Sequence, residues 1–179
     1  MRHIIKVVLT FGLLLTSSTY SYPQQRDVLG WEGARWGMSE AELLKAFSSK
    51  LKKLPARQEF LALHVDYVLP EFKLKSETFT VFFQMEKNTN KLAQVLIRLN
   101  EQVSRLPREE IFNSLAASLA GEYGEPGNKS DDRYSLSSKY KGIELNRTWK
   151  FQTTTIELGY GWDDQIYASL LTIRYFPTK

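Results

Sequence analysis

The chain has 179 residues and no cysteine, so its composition excludes disulfides, thiol catalysis and thiolate metal sites. Its 24 Lys and Arg stand against 20 Asp and Glu; setting aside Arg2 and Lys6, which belong to the opening segment, leaves 22 against 20, a balance of +2. With no clustered Lys/Arg face of the kind that reads nucleic acid, no nucleic-acid partner is expected.

The opening has three parts. Met1 to Lys6 is short and basic, Val7 to Leu15 is apolar apart from Thr10 and Gly12, and Thr16 to Ser21 is small and polar. That is the pattern of a secretory signal peptide. The apolar run falls short of the roughly 20 residues a spanning helix needs. Residues 1–21 are therefore expected to be a signal peptide cut after Ser21, with a cut after Ser18 as the alternative. The product is expected in the periplasm or outside the cell. With no cysteine after the apolar run, neither a lipid attachment nor a permanent membrane anchor is expected. Residues 22–179 suit one domain with a substantial core.

Ser39, with Glu42 three residues on, forms a capping box that starts a helix. Leu43, Leu44, Phe47, Leu51 and Leu54 make its apolar stripe and Pro55 stops it. Lys45, Lys50, Lys52, Lys53 and Arg57 read as the solvated end of that helix, favoured by its dipole. Alternating runs come next, from Phe60 to Leu69 and from Glu77 to Glu86. The polar stretch from Lys87 to Lys91 then turns the chain into Leu92 to Leu99.

A second helix is expected after Pro107, with Ile111, Phe112, Leu115, Leu119 and Tyr123 as its stripe and Gly124 as its end. The two stripes superimpose at an offset of 68 residues, Leu43 on Ile111 through Leu51 on Leu119. The segment opening Gly124-Glu125-Pro126-Gly127 is dense in turn formers and reads as a long exposed loop over Glu125–Lys141, with a short strand from Arg133 to Lys139. Strand-like runs then cover Ile143 to Phe151, Thr155 to Trp162 and Tyr167 to Phe176. In the middle run Ile156, Leu158, Tyr160 and Trp162 point one way; Glu157 points the other, and Gly159 and Gly161 leave that face bare. The expected fold class is α+β: a tandem repeat of a helix followed by about three antiparallel strands, in units of about 36–104 and 105–179, with the helices packed on one antiparallel sheet.

Candidates for chemistry are few. His64 is the one histidine beyond the signal peptide and shares a strand face with Asp66, a pair that could orient a general base. No Ser sits in a nucleophile-elbow context. Asp131-Asp132 and Asp163-Asp164 lack the ligand spacing of a calcium loop and read as turn residues. Glu144 and Glu157, on neighbouring strands, are the candidate carboxylates for glycoside hydrolysis. No phosphate loop or dinucleotide fingerprint occurs. No residue is assigned to catalysis, cofactor binding or metal binding, and no cofactor is expected. Among the aromatics, Trp149 and Trp162 are expected in the core, whereas Tyr134, Tyr140 and Trp31 are the candidate partner contacts.

Trp36-Gly37-Met38-Ser39, followed by Glu42-Leu43, resembles the "WGMS" start of the helix in many small exported bacterial proteins. Tyr123-Gly124-Glu125-Pro126 resembles the "YGxP" helix exit of the same group. Trp149 before the strand with Ile156-Glu157-Leu158, and a last strand ending Ile173-Arg174-Tyr175, suit it too. The layout is similar to the β-lactamase-inhibitor-protein fold, and each half resembles the small lipoprotein of the outer-membrane β-barrel assembly machinery. This chain lacks that lipoprotein's lipid-bearing cysteine and has two units where it has one. The resemblance implies a protein that binds other proteins. The expected function is thus that of an exported, soluble periplasmic module, non-catalytic, engaged in protein binding or envelope assembly, with another envelope protein as partner. The alternatives are an envelope hydrolase using carboxylates or His64, and a small-ligand or lipid carrier.

Overall fold

A computed structural model describes residues 27–100, 107–135, 141–163 and 168–179. The expected signal peptide lies outside the described residues, as does Tyr140.

Helix α1 (Glu40–Phe47) begins where the capping box places it: the Ser39 N–H donates to Glu42 Oε2 at 2.8 Å and the Glu42 N–H to Ser39 Oγ at 3.4 Å. Helix α2 (Arg108–Tyr123) starts after Pro107 and ends at Gly124, whose φ of 81° suits a residue without a side chain. It buries Ile111, Phe112, Leu115 and Leu119. Among the described residues no helix is long and apolar enough to cross a membrane.

The rest is mostly strand: β1 (Lys52–Glu59), β2 (Leu63–Leu74), β3 (Glu77–Glu86), β4 (Leu92–Leu99), β5 (Asn128–Ser135), β6 (Lys141–Lys150), β7 (Thr154–Asp163) and β8 (Ala168–Pro177). They form one antiparallel sheet in the order β1-β2-β3-β4-β8-β7-β6-β5. This corrects the expected fold class. The chain is chiefly a single eight-stranded sheet carrying two short helices, not a tandem repeat of a helix plus three strands.

The difference lies in the two outermost strands. Lys52–Glu59, expected to close the first helix and lead out of it, is strand β1; α1 stops at Phe47, and Ser48 with a φ of 48° turns the chain away. Pro55 sits where the β1–β2 register shifts between Lys53 and Gln58, as proline does on an edge strand. Asn128–Ser135, expected as loop up to a short strand from Arg133, is strand β5 throughout, paired without a break from Asn128↔Thr148 to Ser135↔Lys141. Both strands are exposed along nearly their whole length, so neither carries the apolar alternation that marks a strand in a sequence.

Both helices pack on one face. Val81, Ile97, Ile173 and Leu158 stand abreast across β3, β4, β8 and β7, all fully buried beneath them. Phe47 of α1 lies 4.9 Å from Phe83, ring centroid to centroid, and Trp149 donates its indole N–H to the Gly124 carbonyl at 2.7 Å, fixing the exit of α2. The WGMS segment joins the sheet as well: the Gly37 N–H donates to the Leu92 carbonyl at 2.9 Å, the Leu92 N–H to the Met38 carbonyl at 2.8 Å, and the Trp36 indole to Thr154 Oγ1 at 2.9 Å. On the opposite face only a small apolar cluster forms, Val65, Val68 and Phe82 with Leu54 and Leu96.

Ile173 lies where β8 meets β4, the one pairing that joins the first four strands to the last four. Replacing it by alanine is expected to lower the unfolding free energy by about 2–5 kcal/mol. Urea denaturation followed by tryptophan fluorescence should show one transition at a lower midpoint. A midpoint unchanged from the parent's would show that Ile173 does not hold the seam of the sheet together.

Candidate functional site

The helix-free face of the sheet holds a groove of about 790 Å³. Its floor is read from the register. Leu96, Arg174 and Glu157 form one row, Arg98, Thr172, Gly159 and Asn146 the next, and Leu170, Gly161 and Glu144 a third. Phe60, before β2, and Tyr134, on β5, line the same groove. Yet β2 and β5 are six strand spacings apart in the sheet order, about 29 Å if the sheet were flat. The sheet is therefore curled around this face.

Three of the five large apolar side chains that stand exposed among the described residues, Phe60, Tyr134 and Leu170, line the groove. The polar groups between them are largely neutralised. Arg174 donates to Glu157, Gln94 to Gln84, and the Asn146 amide to Glu144 at 3.4 Å; the Arg98 guanidinium lies 4.8 Å above the Phe82 ring.

The three glycines along the groove differ in what holds them. A Cβ on Gly142 would strike the Tyr134 ring, so glycine there lets the ring lie flat on the strand. A Cβ on Gly159 would press on Asn146 Oδ1 at 3.2 Å. A Cβ on Gly161 would meet nothing within 4 Å, and the backbone there is ordinary strand.

The catalytic candidates are not brought together. His64 is buried, its Nδ1 without a hydrogen-bond partner and its Nε2 3.5 Å from Asp66 Oδ2. Asp66 is itself gripped by Arg57 through two bonds of 3.0 and 2.8 Å. This cluster is on the β1–β2 edge, and Arg57, His64 and Asp66 do not line the groove. Glu144 and Glu157 do line the groove, but Glu144 is abreast of Gly161, four residues along β7 from Glu157, about 13 Å. Carboxylates flanking a glycosidic bond stand about 5–9.5 Å apart.

Of the partner-contact candidates, Tyr134 is exposed at the groove. Trp31 is only 6% exposed, packed against Phe47, Phe72 and Phe83, so its indole serves the core and not an outer surface. Trp149 and Trp162 pack in or against the core. Phe60, Leu170, Arg98 and Arg174 were not singled out from the sequence. Leu170-Leu171 carried a usable signal, since adjacent apolar residues on a strand cannot both face the same core.

A second space, about 570 Å³, lies on the helix side between residues 27–35, α2 and β8. Its polar centre is the hydrogen-bonded pair Tyr175 and Tyr123, with Glu122 accepting from Tyr123. Burial pushes the Tyr123 phenol up to about 12 and the Tyr175 phenol well above its ordinary value, so both are neutral donors. Residues 27–35 are tethered at Asp27, which accepts from the Thr153 N–H at 3.0 Å and from the Thr153 hydroxyl.

Comparison of the chain with protein-family models, with curated proteins and with solved structures finds no match in any of the three.

The bonds from Thr153 hold the Asp27 carboxyl below its ordinary value of 3.8. A depressed carboxyl stabilises the fold fully above its unfolded value, and that contribution is lost as pH falls through the lower native value. The urea midpoints of the parent protein and of Asp27→Asn should therefore differ at about pH 6 and draw together as pH falls below the ordinary carboxyl value of 3.8. A gap that stays constant across the series would remove the tether from the account.

Proposed function

We propose that this protein is an exported, non-catalytic binding module that receives a segment of another envelope protein on the helix-free face of its sheet. Export rests on the composition of residues 1–21. The binding face rests on one observation, Gly161. A glycine inside a strand weakens the strand, and among the described residues no close contact calls for one here, because a side chain would enter open space. What a bare position at the centre of a groove permits is close approach from outside. Leu170 beside it, with Phe60 and Tyr134 at the groove's margins, supplies the apolar and aromatic anchors that protein interfaces use.

Gly161→Ala should raise stability by about 0.5–1 kcal/mol, because the position needs no glycine to fold. Gly161→Arg should fold as well and fill the groove. A photocrosslinking residue placed at Leu170 in living cells should then yield a discrete adduct that Gly161→Arg abolishes, while the same residue at Asn113, on the exposed side of α2, yields none. No adduct from position 170, or one indifferent to Gly161→Arg, would overturn the proposal.

A further inference from the structure

The space on the helix side has a chemistry unlike that of the groove. It lies over the seam of the sheet, with Ile97 of β4 and Ile173 and Tyr175 of β8 as its floor. Trp31 and Tyr123 give it aromatic walls, and Glu32 and Glu122 are exposed at its rim. Its volume is within the range of small-ligand sites, roughly 300–1,000 Å³.

The phenol hydrogens of its walls are already committed. The Tyr175 hydroxyl donates to Tyr123, and the Tyr123 hydroxyl donates to Glu122. Arg35, the one cationic side chain on the lining among the described residues, donates to the Leu29 carbonyl at 3.3 Å. Three carboxylates line the space, Asp27, Glu32 and Glu122, against that single guanidinium. What remains for an occupant is apolar surface, carboxylate oxygens with spare lone pairs, and the further donors of the Trp31 indole, the Ser118 hydroxyl and the Arg35 guanidinium. An anion would be repelled, and a neutral polar molecule would find few donors.

We propose that this cavity binds an alkylammonium ion, with its cationic nitrogen toward Glu32 and Glu122 and its alkyl groups against Trp31 and the isoleucine floor. The fit comes from the excess of carboxylates at the rim, which attracts a cation, and from the apolar floor, which takes its alkyl groups. This site is independent of the groove, since it is on the other face of the sheet.

The test is an NMR titration of the protein with choline and, separately, with its neutral isostere in which carbon replaces the quaternary nitrogen. Choline should shift the Trp31 indole and the Tyr123 and Tyr175 ring resonances saturably, and the isostere should bind at least about tenfold more weakly. Glu122→Gln and Glu32→Gln should each weaken choline at least about threefold and leave the isostere unchanged; both positions are exposed, so both variants keep the fold. No saturable shift at these residues, equal binding of the two compounds, or choline binding unaffected by either glutamine would overturn the proposal.

Discussion

The pairing of β4 with β8 is the constraint on which the rest of the molecule depends. It comprises four register positions, Val95↔Tyr175, Leu96↔Arg174, Ile97↔Ile173 and Arg98↔Thr172. Through them the first four strands, which come after α1, and the last four, which come after α2, become one sheet. Because strand side chains alternate, this single pairing also decides which residues share a face. Ile97 and Ile173 extend the buried row from Val81 to Leu158, so both helices must pack on that side. Leu96, Arg98, Thr172 and Arg174 are committed to the other. A slip of one residue would put either Arg98 or Arg174 beneath the helices.

The two faces are then solvated unequally, as an antiparallel sheet allows. The helix side holds nearly all of the buried apolar side chains, from Trp31 to Tyr175. The other side holds a small cluster around Phe82 and, beyond it, glycines, amides and a paired Arg174 and Glu157. Its curl is what turns scattered residues into a groove, by bringing the margin at Phe60 toward the margin at Tyr134. The helix side has a cavity of its own between α2, β8 and residues 27–35. The segment at residues 27–35 spans the opening, anchored at Asp27 to the turn before β7 and at Trp31 to the core.

The parts of the fold legible in the sequence are those with a local or one-sided reason for each residue. Ile156, Leu158 and Tyr160 are buried on one face, and the helices start and stop at Ser39, Pro107 and Gly124 for reasons of capping and backbone geometry. Strands β1 and β5 were illegible because an edge strand with two wet faces has no pattern to show. Their charged residues, such as Lys52 and Lys53 on β1 and Asp131 and Asp132 on β5, discourage a further strand from pairing there and imitate a loop or helix end in the sequence. Trp31 was ambiguous for a different reason: its neighbours Phe47, Phe72 and Phe83 come from three separate elements. The bareness of Gly159 and Gly161 could be read; the curl that places Phe60 and Tyr134 around them is a property of all eight strands.

The groove and the cavity are back to back on the same two strands. Along β4, Leu96 and Arg98 face the groove while Ile97 faces the cavity; along β8, Thr172 and Arg174 face the groove while Ile173 and Tyr175 face the cavity. Alternation separates them completely in side-chain terms, so a substitution at an even-numbered residue of these strands reshapes one surface and leaves the other's lining intact. Backbone changes are different. The seam has only four paired positions, and any substitution that distorts it alters the curl on one side and the gap on the other together. Side-chain variants therefore examine the two faces one at a time, whereas seam variants such as those at Ile173 examine the sheet that carries both.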